Sequence, residues 1–339
     1  MHEPNVRSAF LPHRIRGRAL LVATILLMAA LAAPTAPVSA AEGPSPRPWH
    51  DRDRLFDVEI RGDKIWVVGH PGVILHSTDR GATWIMQEGG GDEALYAIQF
   101  VDDRIGFIVG RSGLVLRTDD GGGSWVRQES NTHEPLMDVS FVDDKYGWAV
   151  GNFATIIHTS DGGATWTPQL LAPEDDPVLN GVVFIDRQRG WVAGEFGTIA
   201  RTSDGGIRWE YQETGTERAL FGFAFDEQGR RATAVGSGGA VVTSTDGGAT
   251  WRTAFADVPE PLLHVAFAEN DWLSCGRSGM VVFPSNGELH THHSGTYVWL
   301  ASLDITSDGF ALAVGAAGTM LKSVDAGRSW QPLEAVESR

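Results

Sequence analysis

The stretch LMDVSFVDDKYGWAVGNFATIIHTSDGGATW, residues 136–166, contains the pattern that decides the fold. Its short apolar runs LMDVSF, GWAVG and TIIHTS are separated by segments rich in Asp, Asn and Gly. Apolar runs of strand length that are bounded by turn residues predict β-strands. The stretch ends in DGGATW, in which the aspartate and the glycines predict a tight turn and the tryptophan a strand that packs on its neighbour.

The same pattern occurs seven times along the chain. A glycine leads each copy, and the spacings between successive leading glycines are 41, 41, 43, 42, 40 and 39 residues. These glycines are Gly69, Gly110, Gly151, Gly194, Gly236, Gly276 and Gly315. Periods near 40 residues are typical of propellers and helical arrays.

Each copy contains four strand-like segments, which in the first unit are residues 55–60, 65–69, 73–77 and 83–87. The first segment is LFDVEI, and its equivalents in later units include LYAIQF, LMDVSF and LNGVVF. No helical periodicity follows residue 40. We therefore predict an all-β, seven-bladed β-propeller with four-stranded antiparallel blades and Asp-box turns. Residues 41–54 form a lead-in to a single propeller, 55–334, with blades at about 55–92, 93–133, 134–176, 177–217, 218–259, 260–297 and 298–334.

An aspartate stands at the same place in six of the seven copies. We interpret it as a structural Asp-box residue that bonds the backbone of its turn, because one aspartate per blade is spread around a rim and cannot share an ion or a substrate. The sixth copy has Asn286 instead, and Thr291 in place of the tryptophan. The Asp-box residues are Asp79, Asp120, Asp161, Asp204, Asp246 and Asp325.

The N-terminus predicts a secretory signal peptide at residues 1–40. Four arginines precede the apolar run 19–33, and Val38-Ser39-Ala40 supplies a cleavage site. An uncleaved anchor is the alternative, although the run is shorter than the roughly 20 residues of a membrane span. We expect a periplasmic protein, or a lumenal one in a phototroph, with no membrane span after cleavage.

Composition excludes several classes of function. The formal charge is −16, from 27 basic and 43 acidic side chains, which opposes binding to the phosphates of nucleic acid. The single cysteine, Cys275, rules out an internal disulfide and any site that needs several thiolates. We predict no cofactor, no metal and no catalytic residue.

The repeats resemble those of the photosystem II stability and assembly factor family. Residues 136–166 and 179–209 are the cleanest copies of that family's unit, and the resemblance extends over about residues 49–334. It implies a monomeric, non-enzymatic scaffold that binds a membrane-protein complex or its assembly intermediate. In this family docking is associated with basic residues on one propeller face, whereas here only two of the corresponding turn residues are arginine.

The rim opposite the Asp-boxes is the predicted partner-binding face. The turn residues there differ from unit to unit, as expected where the scaffold is constrained and the rim is free to specialise. Phe153 and Phe196 in these turns either pack on a neighbouring blade or bind a partner. The predicted face comprises His70, Arg111, Asn152, Phe153, Glu195, Phe196, Ser237 and Arg277.

A sialidase-like glycoside hydrolase, or a sugar-binding propeller, is the alternative. The seven first segments contain none of the arginines that would clamp a sialic acid carboxylate, and Asp57 with Asp138 is the only carboxylate pair that we can nominate for another glycosidase.

Two further clusters are weaker candidates. The cluster His290, His292 and His293 would bind a metal together with His264 or Asp57, but a solvated loop is the favoured interpretation. Residues 174–176, Glu-Asp-Asp, are likewise interpreted as a solvated connector rather than as a contact for a basic partner.

Overall fold

A computed structural model describes residues 49–171, 176–268 and 271–333. The predicted signal peptide and the connector residues Glu174 and Asp175 lie outside these ranges. The described residues form seven four-stranded sheets, and the strands of each sheet follow one another in chain order. All neighbouring strands are antiparallel. The predicted all-β, seven-bladed propeller is therefore confirmed.

In each of the first four blades, the strands become shorter from the first strand to the fourth. Blade 1 contains β1 (Arg54–Arg61), β2 (Lys64–His70), β3 (Ile74–Ser77) and β4 (Ile85–Met86). Blade 2 contains β5 (Leu95–Phe100), β6 (Gly106–Gly110), β7 (Val115–Thr118) and β8 (Val126–Gln128). Blade 3 contains β9 (Leu136–Phe141), β10 (Gly147–Gly151), β11 (Ile156–Thr159) and β12 (Thr167–Gln169). Blade 4 contains β13 (Leu179–Phe184), β14 (Gly190–Gly194), β15 (Ile199–Thr202) and β16 (Glu210–Tyr211).

The last three blades keep the same order. Blade 5 contains β17 (Leu220–Phe225), β18 (Ala232–Gly236), β19 (Ala240–Ser244) and β20 (Arg252–Phe255). Blade 6 contains β21 (Leu262–Ala268), β22 (Asp271–Gly276), β23 (Met280–Ser285) and β24 (Glu288–His293). Blade 7 contains β25 (Leu300–Ile305), β26 (Ala311–Gly315), β27 (Met320–Ser323) and β28 (Gln331–Pro332). Four second-to-third strand turns are single 3₁₀ turns, at Arg111–Gly113, Glu195–Gly197, Ser237–Gly239 and Arg277–Gly279.

The first strand of each blade is the inner strand. Each inner strand contacts the inner strands of the two neighbouring blades, and β1 contacts β25, which closes the ring. The lead-in reinforces this closure, because the indole Nε1 of Trp49 donates to the carbonyl of Gly318 at 2.8 Å and the Gly318 N–H donates to the carbonyl of Asp53 at 2.8 Å. All four strands of blades 1 and 7 are consecutive in the chain, so the ring closes by packing and side-chain contacts rather than by strand exchange.

Aromatic rings join most neighbouring blades. An aromatic residue in a second strand packs against the phenylalanine that ends the next blade's inner strand, with ring centroids 3.5 to 4.5 Å apart. Three of these pairs are stacked, and the Trp191–Phe225 pair is tilted by 38°. Stacked aromatic pairs add about 0.5–1.5 kcal/mol to the burial of their surface. The repeated Phe and Trp positions of the motif therefore hold blade to blade. The pairs are Trp66 with Phe100, Phe107 with Phe141, Trp148 with Phe184 and Trp191 with Phe225.

The seven leading glycines are explained by a close backbone approach. A Cβ on Gly110 would overlap the carbonyl oxygen of Ala94, at the start of the neighbouring inner strand. The other six leading glycines face the equivalent carbonyl of their own blades in the same way. Any side chain at these positions would push the two strands apart.

Blade 6 replaces the Asp-box with a tight hairpin. β23 and β24 are paired without interruption, from the Met280–His293 pair to the Ser285–Glu288 pair. The connecting residues Asn286 and Gly287 have φ values of 54° and 82°. Positive φ at both central residues is the mark of a type I′ turn, for which Asn-Gly is the favoured sequence. The hairpin therefore supplies the turn that an Asp-box supplies elsewhere.

Candidate functional site

The propeller has two chemically different rims. The antiparallel strand order places the Asp-box turns at one rim and, at the other, the second-to-third strand turns together with the connectors between blades. We call the second one the connector rim. Turn and connector are joined there by backbone hydrogen bonds, as from Arg111 N–H to the Ala94 carbonyl at 2.8 Å and from Arg277 N–H to the Pro261 carbonyl at 3.0 Å.

Each Asp-box aspartate is occupied by its own turn. In blade 3, Asp161 Oδ1 accepts hydrogen bonds from the Thr159 hydroxyl and the Thr165 N–H, and its Oδ2 accepts one from the Thr165 hydroxyl at 2.6 Å. These donors, chiefly Thr165, hold the pKa of Asp161 below its ordinary value. Asp79, Asp120, Asp246 and Asp325 make the same set of contacts, and Asp204 makes them without the second hydroxyl. All six carboxylates therefore make hydrogen bonds within their own turns.

The residues of the predicted partner-binding face all lie on the connector rim, but they are not equally available. Arg111, Phe153, Phe196 and Arg277 are exposed, whereas the other four are half-buried. The half-buried residues are His70, Asn152, Glu195 and Ser237. The Glu195 carboxylate accepts a hydrogen bond from Val178 N–H at 3.0 Å, so it braces the connector of its own blade.

Phe153 and Phe196 are largely exposed to solvent. Each is 65% exposed, and each has a left-handed backbone, with φ of 54° and 57°. A bulky residue with positive φ is an outlier that the surrounding structure must hold in place. The two turns belong to the neighbouring blades 3 and 4. Two strained, solvent-facing phenylalanines on adjacent blades are the most unusual surface feature of the connector rim.

Sequence reasoning missed exposed apolar residues of the connector rim, of which Leu170 and Tyr297 are the most exposed. Leu170 follows β12 and is 84% exposed, and Tyr297 lies in the connector before blade 7 and is 85% exposed. Their exposure follows from the ends of the outer strands, which the repeat pattern does not locate. Leu170 lies on blade 3 with Phe153, and Arg111 lies on the preceding blade. We call Arg111, Phe153, Leu170 and Phe196 the blade 2–4 arc.

The mouth of the axial channel forms a cavity of about 210 Å³. Every inner strand has an irregular register at the residue after its leading leucine, for example between Leu55 and Asp57. Such a β-bulge redirects one side chain out of the normal alternation. The redirected residues line the cavity, and because they follow the connectors, the cavity opens at the connector rim. They include Phe56, Tyr96, Met137, Phe221 and Leu263.

Polar side chains deeper in the channel replace the missing strand partner of each inner strand. Asp57 Oδ2 accepts a hydrogen bond from Ile98 N–H in blade 2 at 2.9 Å, and Asp138 Oδ2 accepts one from Val182 N–H in blade 4 at 2.8 Å. An unpaired N–H at the free edge of a strand would otherwise cost about 1–3 kcal/mol. Glu59, Gln99, Ser140 and Asp304 make equivalent contacts to Phe100, Phe141, Phe184 and Ile60. These channel groups are therefore tied into the ring.

Burial raises the pKa of the channel carboxyl groups. It raises the pKa of Asp57 and of Asp304 to about 6 and that of Asp138 to about 7, although backbone N–H donors lower each value. Burial also raises the pKa of Glu59, and the nearby Asp304 charge adds to this shift. His264 is shifted the other way, since burial lowers its pKa to about 4. Desolvation therefore disfavours the ionised form of each of these five groups.

The favoured interpretation of the histidine cluster as a solvated loop is wrong, because these residues form a strand, and the alternative joint metal site is not assembled either. His290, His292 and His293 lie on β24, the outermost strand of blade 6, whereas His264 lies on the inner strand β21 and Asp57 on β1. Two further strands of blade 6 separate the two sets. Among the described residues, no group of three or more His, Cys, Asp or Glu side chains is placed to hold a metal ion.

The requirements of a sialidase are not assembled at the axis. Arginine occurs on the described inner strands only at the two ends of β1, Arg54 and Arg61, and one Arg61 nitrogen donates to the Phe100 carbonyl at 2.9 Å. Asp57 and Asp138 do line the same cavity. Their oxygens, however, accept hydrogen bonds from the backbone of neighbouring strands.

The seven four-stranded sheets and their Asp-box turns place this chain in the class of Asp-box β-propellers. The family model described as "Photosynthesis system II assembly factor YCF48" matches residues 124–215 and 173–253. The predicted resemblance to photosystem II assembly factors is thus confirmed over blades 3–5 and part of blade 2. No curated protein matches the sequence. In the part of the chain that the structure describes, no helix is long and apolar enough to cross a membrane.

Solved structures with the same fold include two YCF48 propellers. "YCF48 bound to D1 peptide" and "YCF48 from Cyanidioschyzon merolae" are each 22% identical with a TM-score of 0.60; each match covers 73% of this chain, and 84% and 87% of theirs. An "ancestral GH74 enzyme" is 12% identical with a TM-score of 0.64, over 85% of this chain and 48% of that one. At these identities the matches establish the fold alone, and one fold supports unrelated functions.

Proposed function

We propose that this chain is a non-enzymatic scaffold, resembling photosystem II assembly factors, that binds a membrane-protein complex or its assembly intermediate. The observation that carries the proposal is the pair Phe153 and Phe196, exposed with left-handed backbones on adjacent blades. Aromatic side chains are enriched in the cores of protein interfaces. Leu170 extends this apolar surface, and Arg111 provides a charged edge to it.

The comparisons support this role. One similar propeller carries a D1 peptide, according to its description, and the family model that describes an assembly factor matches the blades that hold both phenylalanines. We extend to this chain the binding of a segment of a membrane protein. The N-terminal pattern supports secretion to the periplasm, or to a lumen if the host is phototrophic.

The test is crosslinking and affinity capture of the tagged mature protein from solubilised envelope membranes of its own host, with mass spectrometry of the captured proteins. Phe153→Asn with Phe196→Asn removes both rings without adding strain, because Asn tolerates a left-handed backbone. A second variant, Arg111→Glu with Arg277→Glu, reverses both exposed rim arginines. The matched control is Ile207→Asn, an exposed apolar residue in the blade 4 Asp-box turn on the opposite rim.

We expect one integral membrane protein to be enriched by the wild type and by the control, and at least about tenfold less by the Phe153/Phe196 variant. Such a loss corresponds to about 1.4 kcal/mol of binding free energy. Equal capture by all variants would remove the connector rim from consideration. Capture of no membrane protein would contradict the scaffold role, and glycan binding and hydrolysis would then be assayed with Asp57 and Asp138 as the first residues to replace.

A further inference from the structure

The axial cavity lies at the centre of the connector rim and is not part of the blade 2–4 arc. Its upper wall is formed by half-buried apolar side chains from the bulges of the inner strands. Its floor contains two carboxyl groups, Asp57 and Asp138, and the imidazole of His264. At about 210 Å³ it is smaller than the 300–1,000 Å³ typical of drug-sized sites, and it suits one long side chain.

The wall is rich in aromatic rings. The ring of Phe56 stacks on Trp299 with centroids 5.9 Å apart and an interplanar angle of 8°, and it lies 5.4 Å from the ring of Tyr96. Phe221 contributes a further ring from blade 5. The faces of such rings carry partial negative charge and attract cations, by about 0.5–2 kcal/mol depending on desolvation.

The floor is acidic and has no matching cation. No lysine or arginine lines the cavity in the described part of the chain. Asp138 accepts one backbone N–H on each carboxylate oxygen, from Val139 and Val182, and a carboxylate oxygen has capacity for a second donor. His264 accepts the Leu303 N–H through Nδ1, so it adds no positive charge at neutral pH.

A metal ion does not fit this combination. The described residues contain no group of three or more ligating side chains, and an aromatic wall offers no ligand to a hard cation. An organic cation does fit, since its alkyl stem lies against apolar rings while its charged head reaches a carboxylate.

We propose that the axial cavity binds the charged side chain of a lysine or arginine presented by the partner polypeptide. The proposal rests on the proposed function for the identity of the partner, but the pocket chemistry is testable without it. The partner would then contact the blade 2–4 arc and also insert one basic side chain into the axial cavity. Both contacts would belong to one interface on the connector rim.

The first experiment uses n-butylguanidinium as the probe and n-butylurea, which is neutral and of similar shape, as the control. Binding to the mature protein is followed by NMR chemical-shift changes at pH 8. We expect the guanidinium to bind at least about tenfold more tightly than the urea, a difference of about 1.4 kcal/mol. Equal binding of both compounds, or no saturable binding of either up to about 50 mM, would overturn the proposal.

The affinity for the guanidinium is also expected to fall by about tenfold between pH 8 and pH 5, because protonation of Asp57 and Asp138 removes the charges that the cation meets. The other titratable or charged groups on the surrounding inner strands are Arg54, Glu59, Arg61, Tyr96, His264 and Asp304. An affinity that is independent of pH would contradict the assignment of these two carboxyl groups.

Two substitutions, each with a control substitution, test whether the cation binds in the axial cavity. Phe221→Ala removes one ring of the wall and should weaken guanidinium binding several-fold, whereas Phe255→Ala, an exposed position outside the cavity lining, should leave it unchanged. Ala301→Lys places an ammonium group of the chain itself at the cavity, and Ala301→Met adds similar length without charge. We expect the Lys variant to melt at a higher temperature than the Met variant at pH 8. The reverse order would count against a cation-binding cavity even if the substitutions disturb the wall.

These outcomes separate the two proposals. Phe153→Asn with Phe196→Asn should keep full guanidinium binding, because neither ring lines the cavity. Loss of partner capture with intact probe binding would assign those two roles to different surfaces. A chain that binds the probe but captures no membrane protein would retain the cavity and lose the assembly-factor role.

Discussion

In several inner strands, the third and fifth residues counted from the leading leucine provide the hydrogen-bond acceptors that a neighbouring strand would otherwise provide. An inner strand is hydrogen-bonded on one side only, and its free N–H groups face the next blade. Asp57, Asp138 and Gln99 accept those N–H groups across the blade boundary. In blades 4 and 5 the third residues are Gly181 and Gly222, and a Cβ there would lie 2.8 Å from the Cβ of Phe223 and 2.6 Å from the Cα of His264. Blades are therefore joined either by a side-chain acceptor or by direct contact.

We predict that Asp138→Ala lowers the free energy of unfolding by about 1–3 kcal/mol, because the Val182 N–H loses its acceptor in a half-buried site. Urea denaturation measures the change. The control is Asp92→Ala, at an exposed aspartate, which should change stability by less than about 0.5 kcal/mol. Equal effects of the two substitutions would mean that the contact across the blade boundary does not stabilise the ring.

At the scale of the element, a blade is completed by a rigid turn between its third and fourth strands. Six blades use the Asp-box, in which one carboxylate holds the turn, and blade 6 uses the Asn286-Gly287 hairpin. The hairpin is accompanied by an outer strand of six residues, while the outer strands of the other blades have two to four. The loss of the Asp-box in the sixth repeat is therefore a substitution of one turn by another.

We predict that Asn286→Val costs about 1–2 kcal/mol, because a β-branched residue is strained at positive φ. Asn286→Gly is the matched variant and should be within about 0.5 kcal/mol of the wild type, since glycine adopts this backbone freely. Thermal unfolding followed by circular dichroism compares the two. If both variants are equally stable, the turn in solution is not of type I′.

The repeat predicted the elements well, because strand periodicity and turn chemistry are local. The seven copies, the four strands and the Asp-box positions could be assigned from residues such as Gly151 and Asp161 alone. The bulge after the leading leucine of each inner strand could not be assigned from the sequence, because it depends on how residues such as Leu55 and Asp57 pair with β2. That bulge directs Phe56 and Tyr96 into the cavity. The sequence signal for the bulge was that the residue after the leading leucine varies between units, while the rest of the L-x-x-V-x-F segment is regular.

In the whole molecule, the ring closes through packing of blade 1 against blade 7 and through contacts of the lead-in with blade 7. Trp49 is buried among blade 1 and blade 7 residues, packs edge-on against Trp84 at 6.0 Å, and donates to the Gly318 carbonyl. The lead-in thus connects the first blade with the last without contributing a strand.

We predict that Trp49→Ala destabilises the protein by about 3–5 kcal/mol, the usual cost of removing a buried tryptophan. Tyr297→Ala, which removes an exposed aromatic ring, is the control and should change stability by less than about 0.5 kcal/mol. Denaturant unfolding provides both values. A small effect of Trp49→Ala would show that inner-strand packing alone closes the ring.

We also predict that stability rises as the pH falls from about 7.5 to about 5. The pKa values of Asp57, Asp138 and Asp304 are raised by burial to about 6 or 7, so between pH 4 and 7 the native state binds more protons than the unfolded chain. The gain should be at least about 1 kcal/mol, since one pKa unit corresponds to about 1.4 kcal/mol. Below about pH 4 the trend reverses, because the Asp-box carboxylates, with lowered pKa values, become protonated.

Urea denaturation at a series of pH values measures this profile, and Asp138→Leu should flatten its upper part by removing one of the titrating groups. A free energy of unfolding that stays constant or increases as the pH rises from 5 to 7.5 would contradict the raised pKa values of the channel carboxyl groups.

The number of blades, the strands of each blade and the six Asp-box turns could be assigned from the sequence, because they follow from local periodicity and from turn residues repeated in six of the seven units. Which side chains are exposed on the connector rim and which line the axial cavity could be seen only in the folded chain. Phe153 and Phe196 are exposed because their turns have left-handed backbones at the edge of the ring, and the axial cavity exists because seven bulged strands converge on one axis. Both features depend on contacts between residues tens of positions apart, which no single repeat encodes.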